Sequence, residues 1–71
     1  MSPVYKVLTE NADFLTAALA QTRVTVIETR GNLAGCIVDY GGPIQKWTPQ
    51  SVKIQNTYYR RGEFEFRVSI R

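Results

Sequence analysis

The sequence predicts a mainly β domain in which an N-terminal α-helix precedes a strongly bent, five-stranded antiparallel small barrel. Three observations lead to that expectation. One stretch, about Thr9 to Gln21, has helical spacing of apolar residues; from residue 23 to residue 71 short β-prone runs alternate with turn residues. No linker or repeat divides the 71 residues, which therefore read as a single domain over 1–71.

The helix rests on capping and propensity. Asn11 suits a cap, and Asp13 lies in the first turn, where a carboxylate complements the helix dipole. Phe14, Leu15, Ala18 and Leu19 fall on one face, and alanines at 12, 17, 18 and 20 favour the conformation. Thr22 and the β-branched run after Arg23 end it.

Val24, Val26 and Ile27 begin the first strand, and Arg30-Gly31-Asn32 supplies a turn. A second strand spans Leu33 to Tyr40, with Gly35 inside it permitting curvature and Cys36 reading as a buried, inert thiol. Tyr40-Gly41-Gly42-Pro43 is the next turn. A short third strand, Ile44 to Thr48, is stopped by Pro49. The fourth runs from Ser51 to Tyr59 with Val52 and Ile54 inward, and Arg60-Arg61-Gly62 turns the chain again. In the last strand Phe64, Phe66, Val68 and Ile70 alternate without a break against polar residues.

Composition excludes several functions. A chain this short buries only about 60% of its unfolded surface, so its core needs a staple or a partner. One cysteine and no histidine leave neither an intrachain disulfide nor a zinc site. Self-association is the remaining remedy. Catalysis is not expected, because general acid and base chemistry has no histidine to use, and Asp39 with Glu28, which could pair across the first two strands, reads as solvated surface. The glycines do not match a phosphate loop, so no cofactor, metal or small-molecule substrate is expected. No apolar run reaches the roughly 18 residues of a membrane span, and the start at Met1-Ser2-Pro3 lacks the order of a signal peptide. A soluble, cytoplasmic protein without a membrane role is the expectation.

Charge is unevenly placed within a net +3. Residues 1–40 are one charge negative, whereas residues 41–71 are four positive through Lys46, Lys53, Arg60, Arg61, Arg67 and Arg71 against Glu63 and Glu65. This asymmetry points to a polyanion, nucleic acid first. Tyr58-Tyr59-Arg60-Arg61-Gly62 combines aromatics that stack bases with guanidinium groups that neutralise phosphates. The alternative for that segment has one tyrosine in the core and the arginines solvated. Tyr40, Gln45, Lys46 and Trp47 form a second aromatic and polar group, with Trp47 read as core or subunit contact. Five strands close poorly, so the last strand or the fourth is expected at an edge; pairing the two between identical subunits would close a ring.

The layout resembles the Sm and LSm family of RNA-binding proteins, which includes the bacterial Hfq proteins. Arg30-Gly31-Asn32-Leu33-Ala34-Gly35-Cys36-Ile37-Val38-Asp39-Tyr40 is similar to the family's first motif, and Tyr59-Arg60-Arg61-Gly62 to its second. The resemblance implies an Sm-like, SH3-type barrel and a homo-oligomeric ring, five to seven subunits, joined through fourth-to-fifth strand pairing. It implies binding of single-stranded RNA, or DNA, at the pore rim. Gln45 would stand at the base-contacting asparagine, Arg61 and Arg60 would be pore-side contacts, and Tyr40 would lie near the site. Gly41 stands where the family has an aspartate, and Pro43 where it has its base-stacking residue. The resulting candidate site is Tyr40, Gln45, Lys46, Arg60 and Arg61. The alternative function is a protein-interaction or assembly module that binds no nucleic acid.

Overall fold

In the computed structural model, which describes residues 4–69, the chain forms seven strands in place of the predicted five. In order these are β1 (Tyr5–Leu8), α1 (Asn11–Ala20), β2 (Val24–Glu28), β3 (Ile37–Gly42), β4 (Ile44–Trp47), β5 (Ser51–Ile54), β6 (Thr57–Arg60) and β7 (Phe64–Ser69). Two antiparallel sheets result, β1-β7-β2-β3 and β4-β5-β6. No strand pairing closes them into a barrel among the described residues.

Two local features raise the strand count. Tyr5–Leu8, ahead of the helix, pairs with β7. The predicted fourth strand folds back on itself at Gln55-Asn56, whose φ angles of 51° and 66° make a two-residue hairpin closed by the Ile54 and Thr57 pair. No glycine announces this turn, and only Asn56 tolerates the left-handed region readily.

The glycines also act differently from the expectation. Gly35 is not inside a strand: with φ 89° it closes a loop in which Gly31–Leu33 make one 3-10 turn, and β3 starts only at Ile37. Glu28 anchors that loop, its N–H donating to the Cys36 carbonyl at 2.9 Å and its carbonyl accepting from Gly35 at 2.7 Å. Cys36 is therefore exposed on the loop and not buried in a core strand. Tyr40-Gly41-Gly42-Pro43 does not reverse the chain. β3 continues through Gly42, and Pro43 alone separates it from β4, so the chain passes from one sheet into the other. Gly41 makes the passage possible: its φ is 98°, and a Cβ there would lie 2.0 Å from the Val24 carbonyl oxygen.

α1 is capped by Glu10 and not Asn11. Asp13 Oδ2 accepts from the backbone N–H groups of Glu10 and Thr9, each at 3.0 Å, and Oδ1 lies 3.1 Å from Lys6 Nζ. Those bonds, the Glu10 one foremost, hold the Asp13 carboxyl well below the usual carboxylate range. At the other end Gln21 adopts φ 54° and the Thr22 N–H returns to the Ala17 carbonyl at 3.1 Å. The buried face is Phe14 with Ala17; Leu15 and Leu19, expected inside, are exposed. The small Ala17 lets the helix approach the sheets closely enough for Phe14 to reach both. The Phe14 ring lies 6.5 Å from Trp47 of β4 in a stacked arrangement and 5.5 Å edge-on from Phe66 of β7.

Phe14 thus sits at the centre of one core shared by the two sheets, with Val24, Val26, Val52, Ile54 and Phe66 fully enclosed around it. The inward alternation of Phe64, Phe66 and Val68 holds as read; Ile70 lies outside the described residues. β7 is not an edge, because β1 covers one side and β2 the other. The expected edge role of the fourth strand passes to its second half, since β6 pairs with β5 alone. No helix of the described residues is long and apolar enough to cross a membrane.

Two predictions follow from these contacts. Gly41→Ala adds a clash with β2 to a strained φ and should cost about 4 kcal/mol or more in urea unfolding, whereas Gly35→Ala, which meets nothing within 4 Å, should cost only about 1–2 kcal/mol. The carboxylate of Asp13 is stabilised by folding, so its contribution is complete above the ordinary value of 3.8 and is lost as pH falls below it. Thermal melts of Asp13→Asn should show a lower Tm at neutral pH and a smaller fall on acidification than the parent protein.

Candidate functional site

The second sheet has two chemically distinct faces because directly paired residues share a face and neighbours along a strand do not. Trp47 pairs with Val52 and Val52 with Tyr59, giving an inner row against the core. Lys46 pairs with Lys53 and Lys53 with Tyr58, giving an outer row. Arg60 lies two residues beyond Tyr58 on the same outer side, opposite Ser51. Lys46 and Arg60 are exposed, Lys53 is half-buried, and the Tyr58 ring is 57% exposed with Lys53 Nζ 5.4 Å from its centroid.

This outer face is purely basic. β4, β5 and β6 contain no Asp or Glu, and no ion pair engages Lys46, Lys53 or Arg60 among the described residues. Four of the six carboxylates have ion-pair partners elsewhere. Glu28 and Glu63 meet Arg30, Glu65 meets Arg67, and Asp13 meets Lys6. Asp39 is not the solvated carboxylate of the sequence reading, nor does it pair with Glu28. It accepts from the Tyr59 hydroxyl at 2.9 Å, the Gln55 side chain at 3.0 Å and the Gly41 N–H at 2.7 Å. Burial, reinforced by this carboxylate, raises the Tyr59 phenol above its ordinary 10.0. The two tyrosines therefore divide as the alternative reading had it, Tyr59 inward and Tyr58 outward.

The five sequence candidates do not converge. Lys46 and Arg60 are on the basic face. Arg61 is a structural clamp: it donates to Asn11 Oδ1 at 2.7 Å, the Thr48 carbonyl at 2.9 Å and the Thr9 carbonyl at 3.1 Å. Its guanidinium also lies 4.1 Å above the Phe14 ring. Gln45 is likewise occupied, accepting from the Asn56 N–H at 2.7 Å and donating to Asn56 Oδ1 at 3.2 Å, which braces the hairpin turn. Tyr40 is 72% exposed on β3 of the other sheet, and no strand pairing places it on the outer row. Trp47 belongs to the core, as one of its two readings had it.

Lys53 was not singled out by the sequence, and Tyr58 entered only within the Tyr58-Tyr59-Arg60-Arg61-Gly62 segment and not in the candidate site; their pairing depends on the hairpin. Once Gln55-Asn56 is a turn, Lys53 and Tyr58 stand directly opposite each other; read as one continuous strand, the segment separates them by five positions.

Nowhere among the described residues do three or more Cys, Asp and Glu side chains converge in a way that would hold a metal ion. No protein-family model, curated protein or solved structure matches the chain.

The different duties of the two arginines can be measured. Arg61→Ala removes three charged hydrogen bonds and a cation–π contact and should lower unfolding stability by about 2–4 kcal/mol. Arg60→Ala, exposed and unpaired, should stay within about 0.5 kcal/mol of the parent.

Proposed function

We propose that the protein binds single-stranded nucleic acid, RNA or DNA, through the outer face of β4, β5 and β6, and that it does so as an Sm-like homo-oligomer. The observation that carries this reading is the unpaired row of Lys46, Lys53 and Arg60 around the exposed Tyr58, on a sheet without a single carboxylate. Unpaired cations release counterions when phosphates replace them, and an exposed ring supplies a stacking surface. Gln45 and Arg61, expected from the family resemblance to touch the ligand, have structural roles instead.

The Sm-like fold is supported by strand order. If β3 and β4 are counted as one strand bent at Pro43, the order becomes β7-β2-β3/β4-β5-β6, with β1 added outside β7. Self-association is supported by the edges. Among the described residues β6 and β1 each pair on one side only, as do β3 and β4 at the crossing between sheets, so an assembly of copies has the β6 and β1 edges to join.

Direct binding tests the proposal. Fluorescence anisotropy with RNA oligonucleotides at rising salt should give a log–log slope of about −2 per bound site, from three cations at about −0.7 each. The triple variant Lys46→Ala, Lys53→Ala, Arg60→Ala should lose binding while melting like the parent. Absence of binding at low salt rejects the proposal.

A second reading has its own observation. The outer face of the four-stranded sheet carries Val4, Tyr5 and Ile37 at least 43% exposed around the buried Ile27, a surface suited to a protein partner. A native mass free of nucleic acid after low-salt purification would favour it.

A further inference from the structure

The groups on the basic face differ in kind from those that read bases. Specific recognition of a single strand needs fixed donors and acceptors aimed at base edges. Here two of the amides near the row are spent internally: Gln45 bonds at both ends to Asn56, and the Gln55 side-chain N–H groups go to Asp39 and the Gly41 carbonyl. A third, Gln50, is exposed beside Ser51 and Arg60 with no partner among the described residues to fix its amide toward a base edge. What protrudes is two ammonium groups, the Arg60 guanidinium and the Tyr58 ring. Arg60 has no hydrogen-bond partner among the described residues that would fix its side chain in one orientation, so it contributes charge and not a base-specific fork. The Ser51 hydroxyl already meets that of Thr48 at 3.3 Å, and the Tyr58 hydroxyl has no partner among the described residues that would fix it toward a 2′-hydroxyl.

Resting on the reading above, we infer that this face takes single-stranded nucleic acid without base or sugar preference, with Tyr58 as the stacking platform. The strand lies across β4, β5 and β6 along the Lys46–Lys53–Tyr58 row. The Lys53 ammonium, 5.4 Å from the Tyr58 ring centroid, puts a cation and a π-surface within the span of one nucleotide, so a base rests on the ring while its phosphate meets the lysine. Lys46, next along the row, meets the neighbouring phosphate.

The test is a matched set of oligonucleotides of about 12 nucleotides, poly-U and poly-A RNA with poly-T and poly-C DNA, bound to the full chain at low salt. The expected result is dissociation constants within about fivefold of one another, since stacking strength alone separates them. Tyr58→Ala should weaken all four by between about 5-fold and 150-fold, and Tyr58→Phe should restore binding to within about twofold. Trp47 fluorescence, which reports on the core, confirms that each variant is folded. A preference above about 30-fold for one base or sugar, or unchanged binding in Tyr58→Ala while Lys46→Ala with Lys53→Ala abolishes it, overturns this inference and leaves nucleic-acid binding standing. If none of the four binds, both fall together.

Discussion

The Asp39 carboxylate is the constraint on which the two-sheet arrangement turns. It sits on the last strand of one sheet and takes hydrogen bonds from Tyr59 and Gln55, both beyond the point where the chain has crossed to the other sheet. Its third donor is the N–H of Gly41, at the crossing itself. A half-buried carboxylate with three donors is satisfied, and satisfaction of this kind is what allows a charge to remain near a core. Because Tyr59 is drawn inward, the strand's pleat turns Tyr58 and Arg60 outward. The composition of the basic face is therefore a downstream effect of an internal carboxylate.

Arg61 does for the helix what Asp39 does for the sheets. Its guanidinium joins the residues before and at the start of α1 to the β4–β5 loop and covers the Phe14 ring, which stacks on Trp47 and meets Phe66 edge-on. Adjacent arginines at the end of β6 thus have unlike surroundings, and only Arg60 is without an ion-pair partner or clamp among the described residues. With three of its five N–H donors given to protein oxygens and its face laid on Phe14, the Arg61 guanidinium offers little of its fork to a phosphate.

Much of this was legible in the residues. The helix, the clean alternation of Phe64, Phe66 and Val68, and the β character after Val24 follow from local periodicity, which side-chain spacing alone encodes. What the sequence hid depended on contacts between distant segments. The hairpin at Gln55-Asn56 uses positive φ without glycine, so no local composition marks it. β1 is a strand because β7 pairs with it, and four residues with two exposed side chains carry little signal of their own. The Tyr40 to Pro43 segment reads as a reversal by composition, whereas the close approach to Val24 shows the glycine serving a crossing. For the candidate site, charge asymmetry pointed to the half of the chain that holds the Lys46, Lys53 and Arg60 row. Assignment of individual residues failed wherever a polar side chain had an internal partner, since a committed and an uncommitted arginine are identical in sequence.

The pleat of the second sheet has a consequence for how this protein can vary. Lys46 adjoins Trp47, Lys53 adjoins Val52 and Tyr58 adjoins Tyr59, and in each pair one residue holds the core while the other faces solvent. Stability and surface chemistry are written on alternate letters of the same three words. Substitutions on the outer letters leave the inner ones untouched, so the face can be recharged, blunted or given a different stacking group without the fold having to be rebuilt beneath it.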